Sequence, residues 1–338
     1  MNPTLPRFRN YAVALACSIA AVLVDPAMAE TTTATTTPVG FITVTVPAAA
    51  NATTPSSRTL SIPLYNTAAY AGAVASVDSS SAFTISGAAW TANQFTTAPH
   101  FVRVKTGAQV GRFFLIASHT ATQLTLSTNG ANLTTLLAAN DTVEIVPANT
   151  LGSIFGTTTP LLQSNANADL ADKIFIWNGT AFDTYFHNGT NWRKTTTVTN
   201  ANTTVLYPDE GFFVTRVATT PVNITLMGTV PSTAEKTDLA GAGSTFIANR
   251  FPVDIAISAL GLQQTAGWTS GPAPESADSL YVWNGTTWDT YFYNGTNWRK
   301  TNSLKNQDAV VIPTGTAMFI TRINGTTATL AQVLPYTP

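Results

Sequence analysis

Aromatic residues in a repeated segment are the side chains of this sequence best suited to binding chemistry. The segment from Trp177 to Thr195 recurs from Trp283 to Thr301, so the offset between the copies is 106 residues. Five of the seven tryptophans lie in the two copies. Aromatic rings on strands pack in a core, or they stand exposed and cover the apolar C–H surface of a sugar. Both interpretations are open for these rings.

One aromatic pair in each copy is a candidate ligand platform. Each copy contains two Asn-Gly pairs between β-forming residues, a pattern typical of hairpins with two-residue turns. A two-residue turn at Asn188-Gly189 places Tyr185 opposite Trp192 and Asp183 opposite Lys194. We expect this face of the hairpin to be accessible to a sugar, and the opposite face, with Phe182, Thr184 and Phe186, to be buried.

The second copy has the same spacing and predicts an equivalent platform. The same count places Tyr291 opposite Trp298 and Asp289 opposite Lys300. A three-residue loop would instead pair Asp183 with Arg193. The candidate ligand-binding residues are therefore Tyr185, Trp192, Tyr291 and Trp298. The alternative is that these rings are cross-strand core pairs and bind nothing.

Spacings typical of catalytic and metal sites do not occur in the sequence. No histidine among His100, His119 and His187 has a second histidine at zinc-ligand spacing. Glycoside hydrolysis requires two carboxyl groups about 5–10 Å apart. The repeat supplies one per copy, and Asp209-Glu210 is a further acidic pair. We expect no catalytic residues, no metal and no cofactor, with a polysaccharide-acting enzyme as an alternative.

Composition favours strands and excludes one class of partner. Charged residues make up 10% of the chain and the formal net charge is −1, which offers no electrostatic basis for binding nucleic acid. Threonine is abundant, and its branched Cβ suits a pleated sheet. Hydrophobic residues reach 44%, enough for a folded core. The expected partners are polysaccharide or other surface proteins.

The first 29 residues have the pattern of a secretory signal. Arg7 and Arg9 precede an apolar run from Tyr11 to Val24, and Ala27-Met28-Ala29 matches a cleavage site. We expect cleavage after Ala29 and an extracellular, cell-surface or periplasmic protein that does not span a membrane. The alternatives are an uncleaved anchor, or a lipid on Cys17, the sole cysteine.

The rest of the chain predicts an all-β fold in three parts. A Thr-rich tether (30–37) precedes an N-terminal barrel-like or sandwich module (38–149), because about six short β-type runs alternate there with turn residues. Two tandem duplicated β-domains follow, at 150–235 and 236–338, each containing an antiparallel meander. A helical turn is expected at Asn132–Ala139, and Val253–Leu262 is the best remaining candidate for a helix.

Several segments together carry a resemblance: Gly40-Phe41, Trp90–Phe95, Val102–Arg112, Asn140–Ile145, Thr150–Phe155, Arg250–Asp254 and the Trp-Arg-Lys triplets at 192–194 and 298–300. Along nearly all its mature length the chain resembles an uncharacterised family of secreted verrucomicrobial proteins. The resemblance implies export and a β-rich fold, and it supplies no activity. We therefore expect a non-enzymatic structural or adhesive surface protein, or alternatively a carbohydrate-binding module that uses the hairpin aromatics.

Overall fold

The described part of the chain is built almost entirely from antiparallel strands, so the predicted all-β class is confirmed. The computed structural model describes residues 38–51, 53–303 and 305–337. The expected signal peptide, its cleavage site at Ala27 and Ala29, and the tether lie outside these residues. Two strands come first, β1 (Val39–Val46) and β2 (Ser56–Leu60).

A closed six-stranded barrel follows these two strands. Its hydrogen-bonded order is β3-β4-β7-β6-β5-β8, and inward-facing Val, Ile, Leu and Phe side chains fill it. Closure leaves no free strand edge. The one-turn helix α1 (Leu133–Leu136) begins at an Asn132 cap and lies where a helical turn is predicted. The barrel strands are β3 (Tyr70–Val77), β4 (Ala82–Ile85), β5 (His100–Val104), β6 (Phe113–His119), β7 (Gln123–Ser127) and β8 (Thr142–Pro147).

The first copy of the repeat forms a five-stranded sheet in the order β12-β11-β10-β14-β2. A ribbon of β1 with β15 and a short β9–β13 pair accompany it. Helix α2 (Leu151–Phe155) has a Thr150–Ser153 capping box. The strands are β9 (Asn149–Thr150), β10 (Lys173–Trp177), β11 (Phe182–His187), β12 (Trp192–Lys194), β13 (Val205–Leu206), β14 (Phe212–Arg216) and β15 (Val222–Thr229).

The second copy repeats this architecture. Its sheet has the order β17-β23-β19-β20-β21, with a β16–β24 ribbon and a β18–β22 pair. Phe213 and Phe319 are related by the 106-residue offset, and their partners Thr59 and Phe246 hold equivalent positions on β2 and β17. The strands are β16 (Glu235–Leu239), β17 (Gly243–Ala248), β18 (Ile255–Ala256), β19 (Ser279–Trp283), β20 (Trp288–Tyr293), β21 (Trp298–Lys300), β22 (Val311–Ile312), β23 (Ala317–Arg322) and β24 (Ala328–Gln332).

Strand pairing shows that the barrel is inserted within the chain segment that forms the first copy. β1 and β2 pair with β15 and β14, and Ile42, Val44 and Leu60 belong to the first copy's hydrophobic core. In the second copy β17 and β18, the equivalents of β2 and β9, are joined by a short loop, whereas in the first copy the barrel fills this connection. The expected module 38–149 therefore combines an inserted barrel with two strands of the first copy.

The hairpin register differs from both predicted registers. In the first copy the pairs are Tyr185↔Lys194 and His187↔Trp192, so the loop contains four residues. The cause is Asn188, whose side-chain oxygen accepts hydrogen bonds from the backbone N–H groups of Thr190 and Asn191. This local turn needs a positive φ at Gly189 (100°) and not at the asparagine, unlike the predicted two-residue turn.

The second copy has the same four-residue loop and the same register, with Tyr293↔Trp298. A shift of two residues preserves the alternation of faces. Lys194 therefore still reaches Asp183, diagonally rather than directly across, at 2.8 Å, and Lys300 reaches Asp289 at 2.8 Å.

The segment predicted as a helix at Val253–Leu262 is not an α-helix. It forms β18 and two 3-10 turns, Ile257–Ala259 and Leu262–Gln264. Gly261 separates the two turns with a φ of 80°, which interrupts a right-handed helix.

A buried ion cluster joins the barrel to the second copy. Glu235 accepts from Arg103 of the barrel at 2.7 Å and from Arg250 at 2.5 Å, and Arg250 also donates to the Tyr65 hydroxyl at 3.1 Å. The Glu235 and Arg250 side chains are fully buried. Because buried charges are costly without partners, this cluster fixes how the barrel sits on the second copy.

Candidate functional site

The predicted platform residues do not form a ligand site, because they are core residues. Trp192 and Trp298 have no exposed surface, and Tyr185 and Tyr291 are also buried. The Trp192 indole donates to the Gly156 carbonyl at 2.7 Å. The prediction of a sugar platform at these four positions is wrong, since each sheet packs this face against its own loops and ribbon.

The opposite face of each sheet is predicted to be buried. In the structure it packs against the corresponding face of the other copy's sheet. Trp177 contacts Phe319 at a ring-centroid distance of 5.2 Å, and the equivalent pair, Trp283 with Phe213, lies at 5.6 Å. The contacts are thus reciprocal, as in a two-fold symmetric dimer interface. Phe246 adds a stack on Phe319 at 4.4 Å.

Two clefts lie at equivalent ends of this aromatic layer. One is bordered by Ile176–Gly179 of the first copy and Ser244–Phe246 of the second. The other is bordered by Val282–Gly285 of the second copy and Ser57–Thr59 of the first. Each cleft therefore joins a Trp-Asn-Gly turn to the edge strand of the other copy. We call them the Trp177 cleft and the Trp283 cleft.

The two clefts differ in size and in hydrogen bonding. The Trp177 cleft has a volume of about 430 Å³, against about 240 Å³ for the Trp283 cleft. The Trp283 indole N–H donates to the Ser57 carbonyl at 3.0 Å. The buried Trp177 indole nitrogen has no hydrogen-bond partner among the described residues. A buried donor without an acceptor costs about 1–3 kcal/mol, so Trp177 is the unusual member of the pair.

Polar residues give the Trp177 cleft a hydrogen-bonding wall. Tyr207, Glu210 and Asp238 also line it, together with Asn129 of the barrel. Burial, and then the charge of neighbouring Asp209, raise the pKa of the Glu210 carboxyl to about 8. At neutral pH the Glu210 carboxyl is therefore largely protonated and can donate a hydrogen bond.

The other acidic residue of the cleft is neutralised by an arginine. Arg112 of the barrel binds Asp238 through two hydrogen bonds, of 2.5 and 2.8 Å, and donates to Thr329 at 2.7 Å. Burial raises the pKa of Asp209 as well. The cleft thus combines aromatic and amide surface with carboxyls that are protonated or paired, a lining of little net charge.

The loop that carries Glu210 is held against the second copy by its backbone. Gly211 N–H donates to the Phe246 carbonyl at 3.1 Å, and Ala248 N–H donates to the Asp209 carbonyl at 3.1 Å. A Cβ at position 211 would collide with the Cβ of Ala317. Glycine is therefore required there for the close approach that positions Glu210.

His187, another residue considered from the sequence, has a structural role. His187 is fully buried, and its Nε2 lies 2.7 Å from the Thr157 carbonyl. In residues 38–337, apart from 52 and 304, no group of three or more metal-ligating side chains is arranged around one point. No helix within these same residues is long and apolar enough to cross a membrane.

The sequence singled out the repeat that contains Trp177, but its pattern did not reveal the cleft. Trp177 precedes an Asn-Gly turn in the repeat, yet β17 and β2, which complete the clefts, carry no repeat signature. The sequence shows Asp209-Glu210 as an acidic pair. It does not show the residues that surround this pair in the structure, because those come from distant segments. The repeat did contain a signal for the cleft, because Trp177 and Trp283 precede the same Asn-Gly turn in the two copies.

The fold and the cleft define a class: an all-β protein with two sheets of matching architecture, packed face to face, and a barrel inserted into the first copy. Compared with protein-family models, curated proteins and solved structures, the chain matches none of them.

Proposed function

We propose that this is an exported, non-enzymatic adhesive protein that binds carbohydrate in the Trp177 cleft. The observation that carries the proposal is the buried Trp177 indole N–H, which lacks an acceptor beside a cleft of about 430 Å³. Clefts of about 300–1,000 Å³ with aromatic walls and a few polar groups are typical of small-ligand sites. Because the indole nitrogen is buried, a ligand oxygen supplies the missing acceptor only if binding moves a neighbouring side chain and opens the N–H to the cleft.

The lining favours a neutral, hydroxyl-rich ligand over an anion or a flat apolar molecule. Glu210 is largely protonated at neutral pH, and Asp238 is neutralised by Arg112. Tyr207 and Asn129 add further polar groups to the wall. Sugars suit such a site because their C–H faces pack on aromatic rings while their hydroxyls meet donors and acceptors.

The duplication offers a matched pair of variants to test the proposal. Trp177→Phe keeps an aromatic ring and removes the unpaired N–H, whereas Trp283→Phe removes the N–H that binds Ser57. The chain without residues 1–29 is screened on an array of neutral and acidic glycans, and the affinity of each hit is measured by calorimetry. We expect binding of neutral glycans that Trp177→Phe weakens roughly 2- to 13-fold, the equivalent of one hydrogen bond, and that Trp283→Phe leaves unchanged.

Three outcomes would contradict the proposal. They are no glycan binding, equal weakening by both variants, and cleavage of the bound glycan, which would make the protein an enzyme. Larger loss of binding with Trp177→Ala than with Trp177→Phe is expected, because the alanine variant also removes the ring.

A second candidate function, assembly with further copies of the chain, is favoured by the β1–β15 ribbon. Phe41 lies directly opposite Met227, and these side chains are 71% and 74% exposed. The other outward residues of the ribbon are uncharged, among them Val39, Thr43 and Thr225, so two ribbons can meet without charge repulsion. Sedimentation of the wild type and of Phe41→Ser with Met227→Ser tests this; a wild-type monomer at all concentrations would exclude it.

A further inference from the structure

We infer that the ligand is an oligosaccharide that extends from the Trp177 cleft into a second groove along the barrel. This inference rests on the proposed function and adds the length and path of the ligand. The groove has a volume of about 410 Å³ and shares four lining residues with the cleft, which makes the two spaces neighbours with a common wall. The shared residues are Asn129, Tyr207, Glu210 and Asp238.

The groove has one wall from the barrel and one from the second copy. Arg112–Leu115 and Ser127–Ala131 form the barrel side, and Lys236, Asp238 and Thr327 form the other. Most of these residues carry hydroxyl, amide or charged groups, so the groove suits a polar chain. Its floor is rigid, because Arg112 is held by both Asp238 and Thr329.

The barrel insertion explains why one cleft has this extension and the other does not. The residues that line the Trp283 cleft come from the two copies, and no barrel residue in the described part of the chain is among them. The Trp177 cleft instead receives Asn129 from the barrel, at the turn after β7. The two equivalent clefts therefore differ, because the Trp283 cleft is small and the Trp177 cleft adjoins the groove.

A continuous groove predicts that affinity rises with ligand length. A disaccharide fits within the cleft, whereas a chain of four or more sugars also reaches the barrel wall. Each added sugar in the groove contributes contacts until the groove is filled, and further units add nothing. Binding at a single cleft would instead reach its full affinity with the shortest fragment.

The test is calorimetry with glucose, mannose and N-acetylglucosamine oligomers of one to six units. Ser127→Trp places a large ring in the groove from an exposed strand position, and Ser118→Trp is the matched control at an exposed position of β6 outside the groove. We expect at least one series to bind, with affinity rising about tenfold or more from the dimer to the tetramer. Ser127→Trp should remove that rise and keep dimer binding, and Ser118→Trp should change neither.

The outcomes separate this inference from the proposed function. Dimer binding with no gain from longer oligomers, or a gain that Ser127→Trp does not reduce, overturns the groove while leaving the cleft. A gain lost equally in Ser118→Trp also overturns it, since the effect is then not local. If no oligomer binds the wild type, the proposed function fails and the groove fails with it. Circular dichroism confirms that each variant is folded before it is scored.

Discussion

Trp177 and Trp283 occupy equivalent positions in two copies of one sheet, yet only the second indole has a hydrogen-bond acceptor in the described structure. Trp283 donates to the Ser57 carbonyl at 3.0 Å, while Ser244, the equivalent of Ser57, does not accept from Trp177. The Trp177–Phe319 and Trp283–Phe213 ring contacts are matched. The missing hydrogen bond is therefore one difference between the two sides of the interface, beside the exchange of Phe182 for Trp288.

This relationship predicts unequal effects of the same substitution on stability at the two positions. Trp283→Phe removes a satisfied donor and leaves the Ser57 carbonyl without it, so we expect the free energy of unfolding to fall by about 0.5–1.5 kcal/mol beyond the effect of ring size. Trp177→Phe removes an unpaired donor and should cost less. Urea denaturation of both variants measures the difference; an equal loss would mean that the Trp177 N–H is satisfied in solution.

The buried platform residues predict a loss of stability rather than of binding. Trp192→Ala and Trp298→Ala each remove a fully buried side chain, and we expect each to lower the free energy of unfolding by about 3–5 kcal/mol. Val198→Ala, at a residue that is 81% exposed, is the control and should be nearly neutral. A thermal melt at wild-type temperature for either tryptophan variant would show that its ring is not in the core.

Local sequence patterns predicted the barrel strands and the duplicated hairpins well. Gln123–Leu126 lies inside β7, and Ala82–Ile85 coincides with β4, because alternating residues between turn signals define short strands. The hairpin register was missed because an asparagine side chain built a four-residue loop at Asn188, which competes with the two-residue turn.

The structural features that the sequence did not predict depend on long-range contacts. β2 pairs with β14 across the whole barrel insertion, so no local pattern joins Thr59 to Phe213. Burial of Trp192 depends on the α2 region, where Gly156 accepts its indole N–H. The Trp177 cleft needs Glu210 and Asp238, which neither repeat nor spacing brings together.

The buried cluster around Glu235 predicts a large effect from one charge. Glu235→Gln keeps the side-chain shape and removes the negative charge shared by Arg103 and Arg250, so we expect a loss of about 3–5 kcal/mol in the free energy of unfolding. Asp169→Asn is the control, because its ion pair with Lys173 is exposed and contributes at most about 1 kcal/mol. Similar losses from both variants would contradict the role given to the buried cluster.

The raised pKa of Glu210 predicts that stability falls as pH rises. Burial and the charge of Asp209 raise the pKa from about 4.3 in the unfolded chain to about 8 in the folded protein. The folded state therefore binds the proton more tightly. Its contribution to stability is complete below pH about 4.3, declines as pH rises to about 8, and is absent above that pH. Asp209, whose pKa is also raised, acts in the same direction.

Glu210→Gln removes the contribution of Glu210 to this dependence, because a neutral amide has no proton to lose in this pH range. Unfolding in urea at pH 5, 7 and 9 should give a variant that gains on the wild type as pH rises, with the largest difference at pH 9. Glycan affinity of the wild type should fall between pH 7 and 9, as Glu210 loses the proton that it donates and the cleft becomes charged. The variant should keep its affinity, since the amide N–H₂ remains a donor. A wild-type protein whose stability difference from Glu210→Gln is the same at all three pH values would show that this carboxyl is ionised throughout.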